Sequence, residues 1–431
     1  TTNTNTFDAD TIETVTIGVS GYYDITAWGA QGGNGRSGGR GGLGAMASGD
    51  IYLQAGARLE IVVGARGSNG GQAGGGGGGG SFVIETNDGS HAVNINEVIA
   101  GGGGGGAGFT LAAGGAGSAL PTGGAGGGSN PGAGGHNGAA GQGGLANFFG
   151  GGGGGGGYTG GNAGYVSNGS GGSGGPGLAG STLGATFAGG AGSDGGGAGG
   201  LGGSGGGGQR GGGGGGGYGG GGGGGNAGQG GGGGSFVNAG AADVAKTAGS
   251  NQGDGRIEIT LLKPPTITGG STTSVKAGST TSTPFAGVTI GDGNPYSPTE
   301  TLTITLSDPG AKLAVGASHP AGVTFAGGNG VYTLTGTAAN ITSELDALTL
   351  SAPSALTGTS EVLTFTLSDT SSGYPLATTA VLTANISSRF DYTGAIQTFT
   401  VQTSGYYNIT AAGARGGNGG GGGQGYFPLG G

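Results

Sequence analysis

The chain has 431 residues, 132 of them glycine and none cysteine, and a formal net charge of −9. Lack of cysteine excludes a disulfide framework and a thiolate metal site. An acidic chain whose 12 Lys and Arg residues do not cluster is a poor partner for nucleic acid or an anionic membrane, and no run of about 18 apolar residues suggests a membrane span.

Thr1 opens a polar Thr/Asn-rich segment with no signal-peptide pattern, as a mature or excised fragment would. Period-two alternation then predicts strands at Glu13–Ile17 and Tyr22–Trp28, with a turn at Ser20–Gly21. Further strands are predicted at Gly49–Leu53, Arg58–Val63, Ser81–Glu85, Glu97–Ala100 and Gly255–Leu262. Glycine runs interrupt them at Gly74–Gly80, Gly101–Gly106, Gly150–Gly157, Gly211–Gly217, Gly219–Gly225 and Gly230–Gly234. Between Gly101 and Gly234 the only charged residues are Asp194 and Arg210, so this stretch has neither apolar bulk to bury nor charge to keep it extended.

Two physical outcomes are open to such a stretch. A flexible glycine linker is one. The other is an array of extended left-handed helices, with three residues per turn and a rise of about 3.1 Å, whose unpaired N–H and C=O groups bond to neighbouring helices. Collagen is excluded, because glycine does not recur strictly at every third residue and proline is scarce. Ordering glycine costs about 1–2 kcal/mol per residue, so only a nearly complete backbone network offsets it. Strands on both sides demand closure, and aromatics are embedded in the stretch at Phe109, Phe148, Phe149, Tyr158, Tyr165, Phe187 and Tyr218. Both features favour the array, with the aromatics capping its ends or turns.

The expected fold is therefore all-β: a β-sandwich with an inserted polyglycine II helix bundle, followed by an Ig-like β-sandwich. The glycine-rich domain spans 1–263, with sandwich strands in 7–100 and 255–262 and the helix bundle at about 101–250. Pro264–Pro265 marks a boundary, since neither residue can donate to a ladder. Over 264–388, short alternating strands are predicted at Gly287–Ile290, Glu300–Leu306, Gly322–Phe325, Val331–Leu334, Glu361–Leu367 and Ala380–Ile386, with helical spacing at Ala339–Leu348. From Thr398 to Gly419 the chain repeats Thr14–Gly35 at a constant offset, so 389–431 reads as the start of a second, incomplete glycine-rich repeat.

Ala27-Trp-Gly-Ala-Gln-Gly-Gly33, Val98-Ile-Ala-Gly-Gly-Gly-Gly104, Gly405-Tyr-Tyr-Asn-Ile-Thr-Ala411 and Phe390–Val401 resemble the glycine-rich domain family, found in anaplastic lymphoma kinase-type receptors and in large bacterial surface proteins. The likeness covers Phe7–Leu262 and the partial copy after Arg389. It implies a β-sandwich carrying polyglycine helices, and binding or scaffolding rather than catalysis. Val288–Asp292, Glu300–Asp308, Tyr332–Gly336 and Glu361–Asp369 are similar to Ig/cadherin-like repeats of giant bacterial adhesins. Having no cysteine and no kinase, the chain departs from the receptors, and a cytokine-receptor role is not carried over.

No catalytic set is visible. His91, His136 and His319 lack metal-ligand spacing, and Gly-x-Gly-x-x-Gly matches without a following Gly-Lys-[Ser/Thr] carry no information, so an enzyme is not expected. Asp292, Asp308 and Asp369 at predicted strand ends, with Glu300, Glu344 and Asp346 in the same section, could supply oxygen ligands to calcium, though Asp also favours solvated turns. No other cofactor is expected. Binding or assembly contacts are expected at Phe148, Phe149 and Tyr158, near helix tips, and at Phe390, Tyr406 and Tyr407 in the partial repeat.

The expected function is an extracellular bacterial structural or adhesive protein, a repeat unit of a surface fibre used in attachment or matrix formation. Self-association or tandem copies would supply its contacts. A receptor- or glycan-binding tip module, which uses loops of the bundle to engage a host or cell-surface ligand, is the alternative. An ice-binding role lacks the regular Thr or Ala file it would need.

Overall fold

A computed structural model of the chain describes residues 4–8, 12–88, 92–146, 151–157, 165–166, 172–175, 187–293, 299–316, 319–352, 362–387, 393–398 and 409–413. Among them the structure is nearly all β, with 22 strands and one helix. The first twelve strands are β1 (Thr4–Asp8), β2 (Ile12–Thr16), β3 (Gly21–Trp28), β4 (Gly44–Leu53), β5 (Ala57–Val62), β6 (Ser81–Asp88), β7 (Ala92–Ala100), β8 (Leu145–Ala146), β9 (Tyr165–Val166), β10 (Phe236–Val237), β11 (Ala242–Asn251) and β12 (Arg256–Leu261).

Ten of these form two five-stranded antiparallel sheets, ordered β1-β12-β3-β4-β11 and β10-β7-β6-β5-β2, while β8 and β9 pair separately. Strand β3 shows why: Tyr23, Ile25 and Ala27 are buried while Tyr22, Asp24, Thr26 and Trp28 are half-buried on the other face. Ile25, Ala27, Ile51, Leu53, Ile257 and Ile259 of one sheet share a core with Leu59, Ile61, Val83, Val98 and Val237 of the other. Strand β12 pairs with both β1 and β3, so the chain on either side of the glycine-rich stretch closes into one sheet.

Several strands run straight into glycine. The residues after β3, β5 and β7 are Gly29, Val63-Gly64 and Gly101, while Gly80 precedes β6 and Gly234-Ser235 precedes β10. The glycine network accordingly extends over 29–43 and 64–80 as well as the described residues of 101–235. It also ends sooner than 250, because residues 242–251, read as part of the helix bundle, form strand β11 on the edge of β4. That strand has no buried stripe and is held by ladder hydrogen bonds, so its sequence carries no period-two signal.

The remaining strands are β13 (Thr266–Gly269), β14 (Thr273–Lys276), β15 (Val288–Gly291), β16 (Glu300–Leu306), β17 (Lys312–Ala314), β18 (Thr324–Gly328), β19 (Val331–Gly336), β20 (Thr349–Ser351), β21 (Val362–Ser371) and β22 (Thr378–Ser387); helix α1 (Ala338–Ala347) lies between β19 and β20. A six-stranded sheet ordered β14-β22-β21-β16-β19-β18 is accompanied by the pairs β13-β15 and β17-β20. Helix α1 begins at Thr337, whose side chain accepts from the Asn340 N–H. It buries Ile341 and Leu345 against a core that includes Phe285, Leu302, Ile304, Leu334, Leu363, Phe365 and Leu367.

Candidate functional site

In the glycine region every third residue serves the same neighbour. Gly102 and Gly105 donate to the carbonyls of Gly216 and Gly213, Gly103 and Gly106 to those of Ala30 and Gly33, and Gly104 and Ala107 to those of Gly115 and Ala112, at 2.7–3.0 Å. The carbonyls are used in the same rotation: Gly101 and Gly104 accept from Ala45 and Gly42, Gly102 and Gly105 from Gly233 and Gly230, and Gly103 and Gly106 from Gly78 and Gly75. The segment 101–107 thus bonds to six different stretches of chain. Residues 212–217 do likewise, donating to 228 and 231, to 75 and 78 and to 153 and 156. Such contact is compatible only with glycine. A Cβ at Gly104 would overlap the Gly230 carbonyl, and one at Gly215 the Gly102 carbonyl.

Polar side chains close the network where it meets the sheets. The buried Ser81 hydroxyl donates to Trp28 O (2.7 Å) and accepts from Gly64 N (3.1 Å). Ser235 does the same between Ser118 O (2.6 Å) and Gly101 N (3.0 Å). Gln31 donates through Nε2 to Gly41 O and accepts at Oε1 from Gly253 N, both at 3.2 Å. Against the outer face of the second sheet, Phe187 packs on Phe82 with ring centroids 5.5 Å apart, and Tyr218 stacks on Phe236 at 4.5 Å. Phe109 instead lies 42% exposed, with the Arg36 and Arg210 guanidinium groups 5.8 and 5.2 Å from its ring centroid. Leu111, at 79% exposed, is close by in the chain.

Phe148, Phe149, Tyr158, Phe390, Tyr406 and Tyr407, the expected binding or assembly contacts, lie outside the described residues.

The expected calcium ligands do not converge. Asp308 lies beyond Leu306, at the opposite end of β16 from Glu300, and its Oδ1 accepts from Gly310 N at 2.7 Å in a turn. Asp369 and Asp292 are instead brought near Glu300. On the β16–β21 ladder Glu300 faces Ser371 and Leu302 faces Asp369, so Glu300 and Asp369 are diagonal neighbours on the core-facing side. Burial first, then the Asp369 and Asp292 charges, raise the Glu300 carboxyl to about 7; burial and Asp292 raise Asp369 to about 6. The Ser371 hydroxyl and the Asp292 carboxyl stand close enough to influence Glu300, yet neither Glu300 oxygen has a partner in hydrogen-bond geometry. Among the described residues no three His, Cys, Asp or Glu side chains are pre-arranged to hold a metal ion.

Sequence reading counted Glu300 among the acids of this section but not as a buried one, because at the head of an alternating strand it passes for a solvent-facing partner of the threonines. Its phase was the available signal, since Glu300 keeps step with Leu302, Ile304 and Leu306, all buried. Asp50 and Glu97, two further buried acids, escaped notice. Asp50 is raised to about 7 by burial, then by Asp24 and Asp243. Glu97 is raised to about 7 by burial, with Glu85 adding to the rise and a 2.8 Å bond from Asn238 Nδ2 opposing it. His319 Nδ1 meets the fully buried Glu344 at 2.7 Å.

No protein-family model matches the chain, and no curated protein matches it.

Proposed function

We propose that this chain is an extracellular structural protein of bacterial type, a unit of a surface fibre or matrix whose stiff element is a polyglycine II array seated on a β-sandwich. The observation that carries the reading is the three-residue rotation of hydrogen bonds, by which one glycine segment is bonded to six others. A three-residue helix without internal hydrogen bonds has that periodicity, and hexagonal packing has that number of neighbours. Material of this kind is rigid because each backbone group is committed to a different neighbour. It offers proteases and ligands few side chains. The sheets after Thr266 act as a spacer of Ig-like form.

Amide exchange tests the array. Gly102–Gly106 and Gly212–Gly217 are expected to exchange at least about a thousandfold more slowly than an unstructured peptide, because opening one residue breaks bonds to several segments. Random-coil rates there would reduce the array to a tether. Negative-stain microscopy tests the assembly: rods or filaments of regular spacing are expected, and dispersed single particles at high concentration would remove the fibre.

A second reading, a ligand-binding tip, draws on the exposed Phe109 between Arg36 and Arg210. Phe109→Ala is expected to abolish attachment to cells if the tip reading holds, and to leave it unchanged in a fibre held by backbone contacts.

A further inference from the structure

We propose that Tyr22, Tyr52 and Tyr374 form an oxidative cross-linking site, at which a dityrosine bond ties the sheets before Lys263 to those after Pro265. Tyr22 and Tyr52 stand directly opposite each other on the β3–β4 ladder, and their rings meet edge to face with centroids 5.3 Å apart. Tyr374 comes from the turn between β21 and β22, where its N–H donates to Ser371 O at 3.2 Å. Its ring meets that of Tyr22 at 5.7 Å, again edge to face. Burial, then the neighbouring Tyr22 and Tyr52 hydroxyls, raise the Tyr374 phenol above its ordinary value, so the hydroxyl ends of the rings converge as well. Elsewhere among the described residues each ring pair includes at least one phenylalanine; phenol faces phenol here alone.

Chain connectivity holds the contact. Residues 262–265 are all that separate β12 from β13, and Pro264 and Pro265 stiffen the link. Leu262 N donates to Tyr22 O at 2.9 Å, while Thr378 Oγ1, just past the Tyr374 turn, donates to Pro265 O at 2.7 Å. The same four residues thus anchor both sides of the joint. With no cysteine in the chain, a covalent tie across it cannot be a disulfide. Tyr52 is 54% exposed and the other two rings are half-buried, so an oxidant can reach them.

The oxidant is hydrogen peroxide consumed by a haem peroxidase, which removes electrons from phenols one at a time. Each of two tyrosines gives up one electron and its hydroxyl proton, and one peroxide takes both electrons and both protons to become two waters. The resulting phenoxyl radicals join by a carbon–carbon bond between ring positions next to the oxygens. The hydrogen on each joined carbon then moves to its oxygen, restoring both phenols. Rings already in contact couple ahead of rings that must meet by diffusion. This chemistry needs only the joint, so it stands whether or not copies of the chain build a fibre.

Treating the dilute full chain with haem peroxidase and hydrogen peroxide, then mapping tryptic peptides by mass spectrometry, tests the site. Cleavage at Lys and Arg places the three tyrosines in peptides 1–36, 41–58 and 313–389. Two linked products are expected, 1–36 with 313–389 and 1–36 with 41–58, each lighter than its parts by two hydrogens and fluorescent as dityrosine. Phenylalanine keeps the ring and removes the phenol. Tyr22→Phe is therefore expected to abolish both products, Tyr374→Phe the first alone and Tyr52→Phe the second alone. Tyr332→Phe, at a buried tyrosine of the same tryptic peptide as Tyr374, is expected to change neither. Denaturing the chain before oxidation is expected to lower the yield of the first product by about tenfold or more. Absence of the first product, its survival in Tyr22→Phe or Tyr374→Phe, or a yield no greater than from the denatured chain would overturn the site.

Discussion

Alanine at Gly104 or Gly215 is expected to abolish the native fold, whereas alanine at Gly18 or Gly71 is expected to leave it intact. At the first two positions the new Cβ would overlap the carbonyls of Gly230 and Gly102. Neither carbonyl can step aside freely, because Gly230 O accepts from Gly115 N and Gly102 O from Gly233 N, both at 2.8 Å. Moving one segment therefore drives it into the next, where glycines are equally crowded. The expected loss is about 4 kcal/mol or more for a single methyl group, at the extreme of what overpacking does in ordinary cores. Gly18 and Gly71 have nothing within 4 Å of a built Cβ and no left-handed φ. Alanine there restricts the unfolded chain and is expected to stabilise by about 0.5 kcal/mol. Denaturant unfolding of the four variants decides the matter; Gly104→Ala and Gly215→Ala within about 1 kcal/mol of the parent would show that the segments are not packed as described.

The protein is expected to lose stability as pH rises from about 5 to about 8, against the usual behaviour of proteins whose carboxylates are salt-bridged. Asp50, Glu97 and Glu300 are raised to about 7 and Asp369 to about 6, in each case chiefly by burial. In the unfolded chain the same groups titrate near 4. Between those limits the folded state holds more protons than the unfolded one. Their contribution is thus complete below about pH 4 and is lost as pH rises through about 7. Allowing for partial solvation and for relaxation around the charges, the loss is on the order of 5 kcal/mol. Asp50→Asn with Glu97→Gln is expected to flatten part of the slope, and Glu300→Gln with Asp369→Asn a further part. A denaturation midpoint that is level or rises over that range would contradict the burial of these acids without counter-charges.

Legibility in the sequence followed side-chain chemistry. Strands β3, β16 and β19 were readable because a buried apolar residue at every second position is the pattern a half-buried strand requires, and predicted Glu300–Leu306 coincides with β16. Helix α1 was readable from the spacing of Ile341, Leu345 and Leu348, and the structure shifts it by one residue. Strands β1 and β11 were not readable: both are edge strands with mostly exposed side chains, held by backbone pairing that any residue can supply. At the acidic site the residue types were visible but not their grouping. Asp292 and Asp308 follow β15 and β16, Asp369 lies near the end of β21, and nothing local distinguishes the turn acid Asp308 from Asp369, which the β16–β21 ladder sets diagonally beside Glu300.

The long glycine runs already dictated that no side-chain core could form there, and that order, if any, had to come from N–H and C=O groups meeting across segments. Which segment meets which was beyond the sequence, because one glycine is chemically the same as the next and a uniform run encodes no register. That choice came from the sheets. Strands β3, β5, β6, β7 and β10 hold fixed places in their ladders, and the glycines next to them inherit an alignment they cannot specify themselves.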